Sequence, residues 1–208
     1  MAPPILPFRP TSPDGHSLRT FLRGQDVLIE PRKLWPSGLV GRKGKIGGAI
    51  TTGRALAYGD DPAWADALAD LDRFDGPLGE EVTAGVVALL GRWQPSWAAM
   101  PVAVVAMPSQ GRPQRVQALA ELVATQLSLP IVELLQRKGP PAPAQVASIA
   151  RAGALLGALS PIGTGRAEGR VLLVDDTYRP GWTMTVAGTL LAERGADQVL
   201  PLVLHQLP

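Results

Sequence analysis

The chain has 208 residues, 46% of them hydrophobic, and a formal net charge of +2. That length suits one domain with embellishments, and the apolar content is enough to bury a core. The absence of cysteine excludes disulfides, thiolate metal sites and thiol catalysis, and no window approaches the ~18 uninterrupted apolar residues of a membrane span.

Residues 1–17 hold five prolines and few apolar anchors, which reads as a flexible Pro-rich tail over 1–24. Its start, Met1-Ala-Pro-Pro-Ile-Leu-Pro7, lacks the charged-then-apolar pattern of a signal peptide. A cytoplasmic protein is the expectation. Ser17 to Gln25 is read either as a short helix or as irregular chain. Asp26 to Glu30 predicts a strand. Pro31 to Gly48 is basic and glycine-rich, a loop with Trp35 at its middle. Residues 1–54 carry nine Lys or Arg against three acids, and the remainder of the chain is net acidic. Such asymmetry points to a polyanionic partner or to a solubilising arm.

Asp61 to Phe74 and Gly79 to Trp93 carry apolar residues at helical spacing, with Asp60-Asp61 as a cap. Trp64, Trp93 and Trp97 read as packing residues. The stretch 25–97 is thus set out as a basic loop and helical extension, and 98–208 as an α/β core. From Pro101 strands and helices alternate. Strand Val102–Ala106 precedes helix Arg112–Leu127. Strand Ile131–Leu134 precedes a Gly/Pro-rich break and helix Gln145–Leu159. Strand Val171–Val174 precedes helix Gly181–Arg194, and strand Gln198–Leu204 follows. This alternation predicts a parallel sheet covered on both faces, with ligands beyond the carboxyl ends of its strands.

The most informative stretch is Val171-Leu-Leu-Val-Asp175-Asp176-Thr177-Tyr178-Arg179-Pro180-Gly181-Trp182-Thr183. A strand ends in two acids, a turn follows, and a helix begins. Amides converge at a helix N-terminus and the helix dipole favours an anion there. The carboxylates can accept hydrogen bonds from vicinal hydroxyls. A sugar phosphate satisfies both halves. The alternative is an ordinary parallel strand with acids at its tip.

This arrangement resembles the phosphoribosyl-pyrophosphate loop of type I phosphoribosyltransferases: four apolar residues, two acids, three variable positions, then Thr-Gly-x-Thr. The resemblance implies an α/β fold of that family with a mainly helical, basic N-terminal extension. It implies phosphoribosyl pyrophosphate with Mg²⁺, and transfer of phosphoribose to or from a base or other acceptor. Asp175 and Asp176 take the catalytic place. Thr177, Tyr178, Arg179, Gly181, Trp182 and Thr183 take the place of the phosphate loop. Pro180 stands where the family has Thr, so one amide and one hydroxyl donor are missing. Arg179 offers a charged fork in exchange, or is a solvated loop residue.

Two further loops resemble the family's diphosphate-binding elements. Met107 to Arg115 has the place of the pyrophosphate loop, with Ser109, Gly111, Arg112 and Arg115 facing diphosphate; the alternative is two solvated arginines. Gln136 to Gln145 has the place of the flexible loop, with Arg137 and Lys138 as its cations. In the ComF-like pattern, Arg137, Gln145 and Arg151 match and Ala154 departs.

A wider resemblance takes in the N-terminal half. Glu30 to Gly38, Gly41 to Gly44, Val102 to Pro108 and Gly181 to Ala187 are similar to the phosphoribosyltransferase-like C-terminal region of actinobacterial RecQ-type DNA helicases. No helicase motor motif occurs in this chain, so the region is expected to stand alone or to be excised. The association implies a link to DNA repair or recombination. Arg32, Lys33, Arg42, Lys43 and Lys45, with Trp35 among them, are the nucleic-acid candidates, although Trp35 reads first as an anchor for its loop. The alternative to a transferase is a non-catalytic ligand sensor or DNA-binding accessory. A homodimer fits either role. His16 and His205 are too far apart in sequence to suggest a metal site. Ser109 has no histidine near it in sequence, which gives a hydrolase little support.

Overall fold

A computed structural model of the chain describes residues 25, 27–139, 147–163, 166 and 168–208. The tail 1–24 and Gln145 lie outside that range. Seven strands are seen: β1 (Val27–Ile29), β2 (Gly53–Tyr58), β3 (Ala103–Ala106), β4 (Leu135–Arg137), β5 (Leu159–Pro161), β6 (Gly169–Tyr178) and β7 (Ala196–Gln206). Among the described residues five α-helices accompany them: α1 (Ala65–Arg73), α2 (Glu80–Trp93), α3 (Pro113–Leu127), α4 (Ser148–Ala158) and α5 (Trp182–Glu193).

The central sheet has the order β1-β2-β7-β6-β3. Only β1 runs antiparallel; β2, β7, β6 and β3 are parallel. The architecture is mixed α/β with a mostly parallel sheet. Along β6 the side chains alternate between faces, as the two-residue period requires. Val171 and Leu173 join Leu155, Met184 and Leu191 on the α4/α5 side. Leu172 and Val174 join Trp64, Leu89 and Leu119 on the α1/α2/α3 side. Burial on both faces explains why β6 reads as a continuous apolar run.

Two sequence expectations are corrected. The stretch 25–97 supplies the expected strand as β1 and also an unforeseen one, β2, which pairs in parallel with β7. The expected strand at Ile131–Leu134 is reduced to a short bridge. There the Val104 N–H donates to the Pro130 carbonyl and the Val132 N–H to the Val104 carbonyl, both at 2.9 Å. Regular pairing begins at Leu135, antiparallel to β5.

That short bridge places the site. After β3 the chain passes through α3 to the outer side of β3, where Ile131 bridges Val104. After β6 it passes through α5, on the opposite face, to β7 on the other side. The loops leaving β3 and β6 therefore diverge, and a crevice opens between them. In parallel α/β sheets ligands bind at such a switch point.

Candidate anion-binding cleft

A cleft of about 590 Å³ lies at this edge, lined by Arg112, Arg151, Asp176, Thr177, Arg179 and Thr183, with Leu207. Four elements converge there: the end of β6, the start of α5, the turn before α3, and the first turn of α4. An Arg112 guanidinium nitrogen stands 3.7 Å from an Asp176 carboxylate oxygen. Among the described lining residues three arginines share the cleft with one carboxylate, a balance that favours an anion. Burial lowers the Arg151 pKa, and the nearby charge of Arg179 lowers it further.

The two acids differ. Asp176 is half-buried and lines the cleft. Asp175 is 6% exposed, and its carboxylate accepts the Asp176 N–H at 2.9 Å. Burial pushes the Asp175 pKa well above the usual carboxylate range. The charge of Asp176 adds to this, and Arg137 opposes it.

The phosphate-loop residues divide. Thr177, Arg179 and Thr183 line the cleft. Gly181 takes a left-handed φ of 78° as the N-cap of α5, and its N–H is turned to the Arg179 carbonyl. Pro180 has no N–H, so this turn points fewer backbone donors at the cleft than side chains. Tyr178 and Trp182 are corrected. The Tyr178 hydroxyl donates to the Glu30 carbonyl. Trp182 is 4% exposed and stacks on Trp35, with ring centroids 6.0 Å apart. Both side chains hold the loop from behind.

The diphosphate-loop residues divide as well. Ser109 Oγ accepts the Arg112 N–H at 3.1 Å and so fixes the turn. Gly111 is exposed beside it. Gln110 donates from its side chain to the Gly139 carbonyl at 2.6 Å, which ties this turn to the segment after β4. Arg115 is corrected. It is 1% exposed, donates to the Phe74 carbonyl, and its own N–H is bonded to Asp75 at 2.9 Å. Its side chain lines a small cavity of about 10 Å³ behind Arg112, Asp176 and Thr177 rather than the open cleft. Arg137 is half-buried and near enough to Asp175 to act on its charge. Lys138 is exposed, with its N–H bonded to the Ala158 carbonyl at 2.8 Å.

Sequence reasoning gave Arg151 no role beyond one matching pattern. Its signal was a lone arginine at the start of an otherwise apolar helix, at the sheet edge where ligands bind.

The basic segment 30–46 forms a strap across the start of α5. The Arg32 N–H donates to Thr185 Oγ1 at 2.9 Å, and its Nε to the Pro180 carbonyl at 2.6 Å. Lys33 pairs with Glu30 at 3.0 Å. Arg42 pairs with Glu193 through both terminal nitrogens and lies over the Trp35 ring. Trp35, 8% exposed, is the anchor of the strap. Of the five nucleic-acid candidates, Arg32, Lys33 and Arg42 are thus engaged within the protein, while Lys43 and Lys45 are exposed.

The fold and site define an α/β protein with a basic cleft at the carboxyl edge of a mostly parallel sheet. No family model matches the sequence, and no curated protein matches it. Among solved structures it is similar to adenine phosphoribosyltransferase from Leishmania donovani, at 14% identity over 96% of this chain and 86% of that one, with a TM-score of 0.43. It is also similar to adenine phosphoribosyltransferase from Leishmania tarentolae, at 15% identity over 94% and 89%, with a TM-score of 0.41. Values this low do not assign the chain to a family.

Proposed function

We propose that the cleft binds phosphoribosyl pyrophosphate and that the protein is a type I phosphoribosyltransferase-like enzyme. The observation that carries this is the meeting of Asp176, at the tip of the motif-bearing strand, with Arg112, Arg151 and Arg179 in one crevice at the switch point. The similarity to the helicase-associated region supports a role near DNA repair or recombination.

In this reading the bond from C1 of the ribose to diphosphate breaks, and a bond from the acceptor to C1 forms. Arg112, on the side of the β3 loop, neutralises the leaving diphosphate. Arg151, Arg179, Thr177 and Thr183 hold the 5′-phosphate. Asp176 faces the ribose, stabilises its developing positive charge and accepts the acceptor's proton. Mg²⁺ bound with the diphosphate supplies further neutralisation of charge. Among the described residues no group of three or more His, Cys, Asp or Glu side chains could hold a metal ion. Asp176 is the carboxylate at the cleft that would face such an ion, which would come with the diphosphate and supply charge neutralisation.

Calorimetry with phosphoribosyl pyrophosphate and Mg²⁺ tests the site. Binding should be present in the parent protein and weakened about tenfold or more by Arg112→Ala or Asp176→Asn, since charge-assisted contacts are worth ~1.5–3 kcal/mol. Absence of heat in the parent protein would remove the reading.

A second reading is a sensor that binds the sugar phosphate without turning it over. Pro180 and the inward-turned Gly181 amide favour it, because both withdraw donors from the phosphate loop. Diphosphate release measured across a panel of bases separates the two.

A further inference from the structure

The anion cleft does not end at Arg179. A larger groove of about 940 Å³ adjoins it, and Arg179 and Leu207 line both spaces. The groove runs from β1 along the strap to the tips of β2, β6 and β7. Its walls carry three exposed apolar or aromatic side chains, Leu28, Leu34 and Tyr58, and the cations Arg32 and Lys33. Among its described lining residues the one carboxylate side chain is Glu30, which is paired with Lys33 at 3.0 Å.

A single pocket of ~300–1,000 Å³ holds a whole small ligand. Two such spaces adjoin here, and they differ in chemistry. The first concentrates arginines around a smaller space. The second alternates cations with flat or apolar surface and stays open. That pairing matches a ligand with a phosphorylated end and a trailing row of bases and phosphates. Exposed aromatic rings stack on bases of any sequence, and flanking cations follow the backbone.

We propose that the joined clefts bind the 5′-phosphorylated end of a single-stranded nucleic acid, with the terminal phosphate between Arg151 and Arg179 and the first bases against Tyr58 and Leu34. The proposal rests on the anion cleft described under the proposed function but does not need transfer chemistry. It also narrows the nucleic-acid contact: the strap's Arg42 is spent on Glu193, whereas Arg32 and Lys33, although bonded within the protein, line the open groove.

The experiment uses the full chain and an eight-nucleotide thymidine strand labelled at its 3′ end, read by fluorescence anisotropy. One version carries a 5′-phosphate and the other a 5′-hydroxyl. Phosphoribosyl pyrophosphate is titrated in parallel by calorimetry. The phosphorylated strand should bind about tenfold tighter or more, and its affinity should fall with salt at roughly −0.7 log units per phosphate contacted. Tyr58→Ser and Leu34→Ser should each weaken the strand severalfold and leave the sugar diphosphate unchanged. Arg179→Ala should erase the preference for the 5′-phosphate.

Equal binding of the two strands overturns the proposal. So does a groove variant without effect on the strand. Heat with the sugar diphosphate but no strand binding overturns it and leaves the proposed function intact. Strand binding with the expected preference but no such heat supports it and removes the proposed function. Failure of both ligands ends both readings.

Discussion

Trp35 lies nearly parallel to Trp182, with ring centroids 6.0 Å apart and planes 20° from each other. One ring belongs to the strap and the other to the first turn of α5. Arg42 covers the Trp35 ring at 5.6 Å and Arg32 the Trp182 ring at 5.7 Å. Four side chains thus fasten the N-terminal segment to the loop that borders the cleft. Removing a buried tryptophan costs about 3–5 kcal/mol. Trp35→Ala is expected to lose that much in urea denaturation, and Trp35→Phe markedly less. A loss in Trp35→Ala below about 1 kcal/mol would show that the strap is held by other contacts.

Gly181 is required twice over. Its φ of 78° lies in the left-handed region, and a Cβ built there would meet the Tyr178 hydroxyl. That hydroxyl is the one bonded to the Glu30 carbonyl. A left-handed conformation costs an L-residue roughly 1–2 kcal/mol, and displacing Tyr178 adds a lost hydrogen bond of about 1 kcal/mol. Gly181→Ala should therefore lower stability by about 2–3 kcal/mol. It should also weaken phosphoribosyl pyrophosphate binding, because the loop and the cleft share Arg179. A variant as stable as the parent would contradict the geometry of this turn.

The Arg42–Glu193 pair is partly exposed on both sides, so its contribution should be small. Exposed and half-exposed pairs give about 0.2–1 kcal/mol and weaken with salt. A double-mutant cycle with Arg42→Ala and Glu193→Ala should return a coupling in that range at low salt and less in high salt. A larger, salt-independent coupling would mean that the pair is more deeply desolvated than its exposure indicates.

Much of the core was legible in the sequence because its strands are buried on both faces. Val171 to Val174 and Val102 to Ala106 are unbroken apolar runs, and the acids after Val174 mark where such a strand meets solvent. The strand β2 was not legible. It reads Gly-Arg-Ala-Leu-Ala-Tyr, and alanine has little strand preference. Its place is fixed from outside. A Cβ on Gly53 would meet the Pro201 carbonyl and the Ile29 side chain, so β2 begins where β7 allows no side chain at all. Gly53→Ala should accordingly destabilise the protein by more than the ~1 kcal/mol common for point changes, as a shifted midpoint in thermal unfolding. The cleft was legible in part. The motif located Asp176, Thr177, Arg179 and Thr183 through local spacing. Arg115 and Trp182 were misplaced because spacing along the chain does not say which side of a helix start faces the cleft. Arg151 approaches from a separate helix, and no local pattern gives such a distance.

The raised pKa of Asp175 makes stability depend on pH in a definite sense. Burial is the main cause, and the charge of Asp176 reinforces it. In the unfolded chain an aspartate titrates near about 3.9. In the fold Asp175 holds its proton to higher pH, so the folded state binds more protons across the interval between the two values. Stability is then greatest below the unfolded value and falls as pH rises through the folded one. As pH rises toward the folded value the fold bears a growing cost of ionising a buried carboxyl, and each tenfold weakening of the acid by its surroundings is worth about 1.4 kcal/mol. Asparagine keeps an oxygen that can accept the Asp176 N–H but cannot ionise. Asp175→Asn should therefore raise the melting temperature at pH 7, and the gain should shrink as pH falls toward about 4, where even the unfolded aspartate is about half protonated. Melting curves of the two proteins at pH 7, 5.5 and 4 decide the matter. A variant less stable than the parent at pH 7 would mean that Arg137 outweighs burial and that Asp175 rests ionised.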